Sequence, residues 1–273
     1  DYIIALDTFS VGLPTVLASR IFGKKIVIRT GGDFLWESFV ERTGREVLLR
    51  DFYNTVTNLF NLKEKIIFKL TRYTLRSTSA IVWSTEWQKN IFTKAYCLEK
   101  QKHFIVENYY GEKQLMPENH NNIFLASTRI LKWKNQGRLR DAFDRAHEMK
   151  PGMLLDQKQY NHEQFIEKIR NCFAVILVSF GDISPNMILE AIRFNKPFIL
   201  TKETGLYDRL KDIAIFVDPL DTEDIKNKIL YLMDKENYDR QIQKIKSFDF
   251  THTYAQIADE FIEIYKKLCE SYQ

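Results

Sequence analysis

The chain has 273 residues, 45% of them hydrophobic and 28% charged, with a formal net charge of +4. That length exceeds one ordinary core and predicts two α/β domains, and the modest basic excess excludes the clustered charge of a nucleic-acid binder while suiting anionic small molecules or a lipid surface. Cys97, Cys172 and Cys269 stand without CxxC or Cys/His spacing, so neither a disulfide framework nor a zinc site is indicated and a reducing, cytoplasmic setting is expected.

Residues 1–6 read as a strand, 11–22 as a helix and 25–29 (KIVIR) as a second strand, a β–α–β opening expected to be parallel. Gly31, Gly32 and Asp33 follow. Paired glycines permit positive φ and close approach to a ligand, and the Asp33 carboxylate can accept from a sugar hydroxyl, although the same residues are also ordinary turn chemistry. Across 48–77, aromatic residues such as Phe60 and Tyr73 interleave with Lys63, Lys65, Lys69, Arg72 and Arg76. On helices this gives a basic face beside an apolar one, readable as core packing with a solvated edge or as a contact with an anionic membrane. Strands are expected at 79–84 and 103–107 with a helix at 85–95 between them, and 114–122 has the composition of a linker.

Residues 122–127 (NIFLAS) open the second half as a strand, followed by a loop with Arg129, Lys132 and Lys134. A helix at 139–150, a short strand at 153–156 and a helix at 162–171 lead to the buried strand 173–179 (FAVILVS). After Gly181 and Asp182 a helix is expected with Ser184 as N-cap and Pro185 in its first turn, leaving backbone N–H groups aimed above the strand ends, a ready anion site. Asn186, Glu190 and Arg193 form its polar stripe at i, i+4, i+7 spacing, whose plainest reading is a solvated face with a Glu190–Arg193 contact. A strand at 197–200 precedes a loop with Thr204 and Gly205; a strand at 213–217 and helices at 222–233 and 251–272 close the chain. No GxGxxG, Walker A or Asp-x-Asp sequence occurs.

The spacing Asp182-x7-Glu190 within ISPNMILEAIRFNKPFILTKETGL resembles the E-x7-E region of retaining GT-B glycosyltransferases, glycosyltransferase family 4 in particular. The segment TRILKWK, residues 128–134, resembles that family's GR-x-x-x-x-K loop. The resemblance implies an α/β, GT-B-like fold of two Rossmann-type parallel-sheet domains with a C-terminal helix crossing back. Residues 1–115 would be a partial acceptor-side domain, 122–250 the nucleotide-sugar-binding domain and 251–273 the closing helix. It further implies that Glu190 holds the ribose hydroxyls and that Asp182, one methylene shorter than the usual Glu, lies near the donor sugar. Arg129 and Lys134 would neutralise the departing diphosphate. Ser184, Asn186, Thr204 and Gly205 complete the implied donor set, and Gly31, Gly32 and Asp33 the acceptor side.

The implied activity is metal-independent, retaining transfer of a sugar from a nucleoside-diphosphate donor to a hydroxyl of a glycan or lipid-linked acceptor, in glycan or cell-envelope polysaccharide synthesis. No cofactor, metal or nucleic acid is expected, and the setting is cytoplasmic or at the inner face of the membrane, with 48–77 as the contact. The family's early Gly-rich loop and a strand–helix unit near 151–161 have no counterpart here, so a fragment or a reduced variant is expected. These losses keep open a second class, a non-catalytic GT-B-like glycan-binding or partner subunit.

Overall fold

The computed structural model describes residues 2–114 and 121–270. The chain divides into two compact units: Asp1–Thr43, Leu49–Asn108 and His252–Gln273 form the first, Gly44–Leu48 and Tyr109–Thr251 the second. Apart from the short excursion of Gly44–Leu48 into the second unit, the chain passes from one unit to the other at 108–109 and 251–252. Most of the linker expected at 114–122 lies outside the described residues.

The first unit runs β1 (Tyr2–Ala5), α1 (Gly12–Ile21), β2 (Lys25–Arg29), α2 (Phe34–Thr43), α3 (Leu49–Thr55), α4 (Leu62–Arg76), β3 (Ala80–Trp83), α5 (Glu86–Tyr96) and β4 (His103–Ile105). The second runs β5 (Ile123–Leu125), α6 (Gln136–Met149), β6 (Leu154–Asp156), α7 (His162–Asn171), β7 (Ala174–Leu177), α8 (Asn186–Arg193), β8 (Phe198–Thr201), α9 (Tyr207–Leu210), β9 (Ile215–Val217), α10 (Thr222–Leu232) and α11 (Lys235–Ser247). The last helix, α12 (Tyr254–Glu270), belongs again to the first unit.

In the first unit the strands form one parallel sheet in the order β1-β2-β3-β4. Parallel sheets need cover on both faces, and their strands read as near-continuous apolar runs such as AIVW of β3. Alternate residues divide between the two faces. Ile26, Ile28, Ile81 and Trp83 pack with Val16, Leu75 and Phe92 of the helices on one side. On the other, Val27, Ala80 and Val82 meet Ile264 and Leu268 of α12, so the returning helix seals a face that would otherwise be bare. It begins at Tyr254 rather than at 251 because Thr253 and Gln256 exchange side-chain-to-backbone hydrogen bonds, a reciprocal cap.

The second unit is a parallel sheet in the order β6-β5-β7-β8-β9. Numbered within the unit this is 2-1-3-4-5, a doubly wound order. Phe124, Ile176 and Ile199 face Leu139, Phe143, Ile225 and Ile229, while Leu125, Val175, Leu177 and Leu200 face Ile188, Ile192 and Leu210. Among the described residues no helix is long and apolar enough to cross a membrane.

Candidate functional site

In a doubly wound sheet, ligands lie outside the carboxyl ends of the strands at the point where the strand order reverses. Here that point falls between β5 and β7, since the chain goes from β5 outward to β6 and then returns to β7 on the other side. The loops that leave these two strands carry Lys134 and Asp182.

These two side chains meet: Lys134 Nζ lies 2.6 Å from Asp182 Oδ2, with 12% and 13% of the side chains exposed. Ser179 Oγ donates to the same oxygen at 3.3 Å. The lysine comes from a short 3-10 turn, Lys132–Lys134, that Asn135 ends in the left-handed conformation at φ 58°. Asparagine tolerates that conformation because its short polar side chain bonds locally. Asn135 Nδ2 donates to the carbonyls of Val178 at 3.1 Å and Pro219 at 2.7 Å, and Phe180 N donates to Trp133 O at 2.9 Å. The two loops are therefore joined by backbone and amide bonds as well as by the ion pair. On the other side Asp182 N donates to Glu203 O at 2.8 Å and Gly205 N to Asp182 O at 3.2 Å, a parallel bridge that extends the sheet past β7 and β8. The Lys134 ammonium also lies 4.1 Å from the centroid of the buried Trp133 ring, a cation–π contact.

Helix α8 starts beside Asp182. Asn186 is exposed, Glu190 and Arg193 are half-buried, and the rest of the helix is buried, so the polar stripe is real. Glu190 Oε2 accepts from Arg193 Nη1 at 3.3 Å. The N-terminus differs from expectation. Pro185 is the N-cap, extended at φ −70° and ψ 109°, and no side chain caps the helix; Ser184 precedes the capping position, half-buried. Because the proline stays extended, the first helical residue is Asn186.

The other expected site residues are placed as follows. Arg129 is exposed on the loop after β5. Thr204 is buried, and its hydroxyl accepts from Leu206 N at 3.2 Å. Gly205 spends its N–H on Asp182 O.

Gly31, Gly32 and Asp33, expected on the acceptor side, lie in the first unit. Neither glycine adopts a positive φ. Asp33 is 4% exposed; its Oδ1 accepts from Trp36 N at 3.1 Å, capping α2, and its Oδ2 accepts from Tyr53 Oη at 2.7 Å. Tyr53 Oη lies 2.7 Å from Tyr96 Oη. Burial pushes the Asp33 carboxyl up to about 6, the three hydrogen bonds from Trp36, Tyr53 and Leu35 opposing it. A carboxylate turned inward in this way holds the start of α2.

Ser179, Trp133 and Asn135 were not anticipated as parts of the site. Only Asn135 had a readable signal, an asparagine directly after the basic turn. Among the described residues no cluster of three or more His, Cys, Asp or Glu side chains stands where it could hold a metal ion.

Comparison with solved structures decides the architecture. Sucrose-phosphate synthase from Thermosynechococcus elongatus matches with a TM-score of 0.65 at 13% identity, over 95% of this chain and 78% of that one. The Anabaena protein HepE in complex with UDP matches with a TM-score of 0.65 at 13% identity, over 98% and 79%. The chain has the GT-B fold. A UDP-forming α,α-trehalose-phosphate synthase from Burkholderia xenovorans shares this GT-B architecture with a TM-score of 0.64 at 10% identity, over 94% and 72%. No family model matches the sequence, and no curated protein matches it.

Proposed function

We propose that the chain is a glycosyltransferase that takes a sugar from a nucleoside-diphosphate donor bound at the β5/β7 switch point. The observation that carries this reading is the Lys134–Asp182 pair, held there by the loops of both strands. UDP is the first donor nucleotide to try, because structures of HepE include complexes with UDP, with UDP and glucose, and with UDP-glucose.

In this reading the uncapped start of α8 and the ammonium of Lys134 receive the diphosphate, with Arg129 adding charge from the loop. Glu190, freed from Arg193, accepts hydrogen bonds from the ribose hydroxyls. Asp182 keeps Lys134 aimed and faces the donor sugar. The acceptor hydroxyl oxygen bonds to the anomeric carbon on the face from which the diphosphate departs. The carbon–oxygen bond to the β-phosphate breaks, its electron pair leaves with the phosphate, and the acceptor proton passes to that phosphate oxygen. Configuration is retained, and no metal is needed where fixed cations meet the developing charge without reorganising. The acceptor would be a glycan or lipid-linked hydroxyl in cell-envelope or other glycan synthesis.

A second reading, binding without transfer, has one observation in its favour: Lys134 and Glu190 are each already paired with a neighbour of opposite charge. Incubation with UDP-, GDP- and ADP-glucose, followed by NMR of the released nucleotide and of the sugar anomer, separates the two. Release of nucleotide with an α-linked product supports retaining transfer. Nucleotide binding with no turnover across a panel of hydroxyl acceptors supports the second reading.

A further inference from the structure

The segment Gly44–Leu48 lies between α2 and α3 in the chain and packs with the second unit. Its Glu46 Oε2 accepts from Arg138 Nη2 at 2.8 Å, with 52% and 18% of the side chains exposed. Arg138 is the third residue of α6, where the helix dipole disfavours a cation, and no acidic side chain stands in that turn. A set of acceptors holds it there. Nη1 donates to Asn135 Oδ1 at 3.3 Å and to Pro219 O at 3.0 Å, and the guanidinium carbon lies 5.9 Å from the centroid of the Phe180 ring. Arg138 therefore meets the turn that carries Lys134, the loop that carries Asp182 and the loop after β9. The Asn135 amide gives its nitrogen to two carbonyls and its oxygen to the guanidinium, so a flipped amide would set N–H against N–H.

We infer that Arg138 is a positioning residue of the proposed donor site and that Glu46 braces it. The guanidinium fixes the Asn135 amide, and through Asn135 and Phe180 it holds the Lys134 turn and the Asp182 loop in the register that presents one ammonium to a diphosphate. A planar fork suits this place because it serves Glu46, Asn135 and Pro219 at once, whereas a lysine would offer only a point charge. The inference takes its ligand from the donor reading and its geometry from the second unit alone. Glu46 separates positioning from plain electrostatics. Removing a carboxylate near an anion site should by charge alone tighten binding of UDP, and loss of a brace should weaken it.

Calorimetric titration of UDP and denaturant unfolding test it together. Glu46→Ala, a change at a half-exposed position, should weaken UDP binding about threefold, and Arg138→Met about tenfold. Because Arg138 acts through Lys134, Lys134→Ala/Arg138→Met should bind within about twofold of Lys134→Ala. Glu46→Ala binding as tightly as the parent or tighter, or losses that multiply in the double variant, overturns the inference. If the parent binds no UDP, the donor reading fails and unfolding alone decides the positioning. The coupling between Lys134 and Asp182, taken from a double-variant cycle, should drop by at least about half when the cycle is repeated on Arg138→Met. An unchanged coupling overturns the inference whether or not UDP binds.

Discussion

Lys134 Nζ and Asp182 Oδ2 stand 2.6 Å apart on loops that leave the two strands flanking the reversal of the sheet. Both side chains are mostly buried, so removing either takes away the other's counter-ion. Asp182→Asn alone and Lys134→Met alone should each cost about 2 kcal/mol of stability, by leaving one charge unpaired in a poorly solvated place. The double variant should cost clearly less than the sum. Denaturant unfolding of the four proteins checks this, and additive costs would mean that the two groups do not interact in solution.

Glu190 accepts from Arg193 at 3.3 Å in a half-buried setting, and in the proposed complex it turns to the ribose instead. Glu190→Gln should weaken UDP binding about tenfold, the worth of charge-assisted contacts. That penalty should disappear with a UDP analogue lacking both ribose hydroxyls. A penalty of equal size for UDP and the analogue would place Glu190 away from the ribose.

Asp33 gives a pH dependence whose sign is opposite to that of a salt-bridged carboxylate. Its folded pKa, about 6, lies above the ordinary 3.8 because burial disfavours the charged form. Between those values the unfolded chain binds fewer protons than the folded one, so stability falls as pH rises from about 4 to about 6, by about 3 kcal/mol in all. Asparagine keeps the cap and the contact with Tyr53 without a charge. Thermal unfolding across that range should therefore show Asp33→Asn gaining on the parent as pH rises, and parallel curves would contradict the buried position of the carboxyl.

Lys113 donates to the carbonyls of Ile192 at 2.9 Å and Ile245 at 2.8 Å, near the ends of α8 and α11. Burial lowers its pKa to about 8. A depressed lysine folds better when neutral, so its contribution should increase as pH rises above about 8. Lys113→Met removes both donors and should cost about 2 kcal/mol at neutral pH. Urea unfolding measures that cost, and a neutral substitution would show the ammonium to be solvated.

The strands were legible because parallel strands buried on both faces are apolar throughout: KIVIR, AIVW and FILT have no other stable setting. The polar stripe of α8 was equally legible, since one face of a short helix carries Asn186, Glu190 and Arg193 while everything else is apolar. The burial of Asp33 was not legible, because a carboxylate after two glycines looks the same whether it faces solvent or caps a helix. The helix it caps, α2, was not read from the sequence, although Leu35, Trp36, Phe39 and Val40, all buried, stand at helical spacing. Helix α11 was missed for the opposite reason: Tyr238, Gln241 and Ile245 are its buried side, too sparse to stand out from its lysines. No local pattern could show that Lys134 and Asp182 touch, because that depends on the order of strands in the sheet.

The most direct test of the account is calorimetric titration of UDP into the parent chain, Lys134→Ala and Glu190→Gln. If the donor site lies at the β5/β7 reversal, the parent binds one UDP per chain and each variant loses at least about tenfold in affinity, consistent with removing a charge-assisted contact. Binding by both variants with the affinity of the parent would place the nucleotide elsewhere and contradict the central claim.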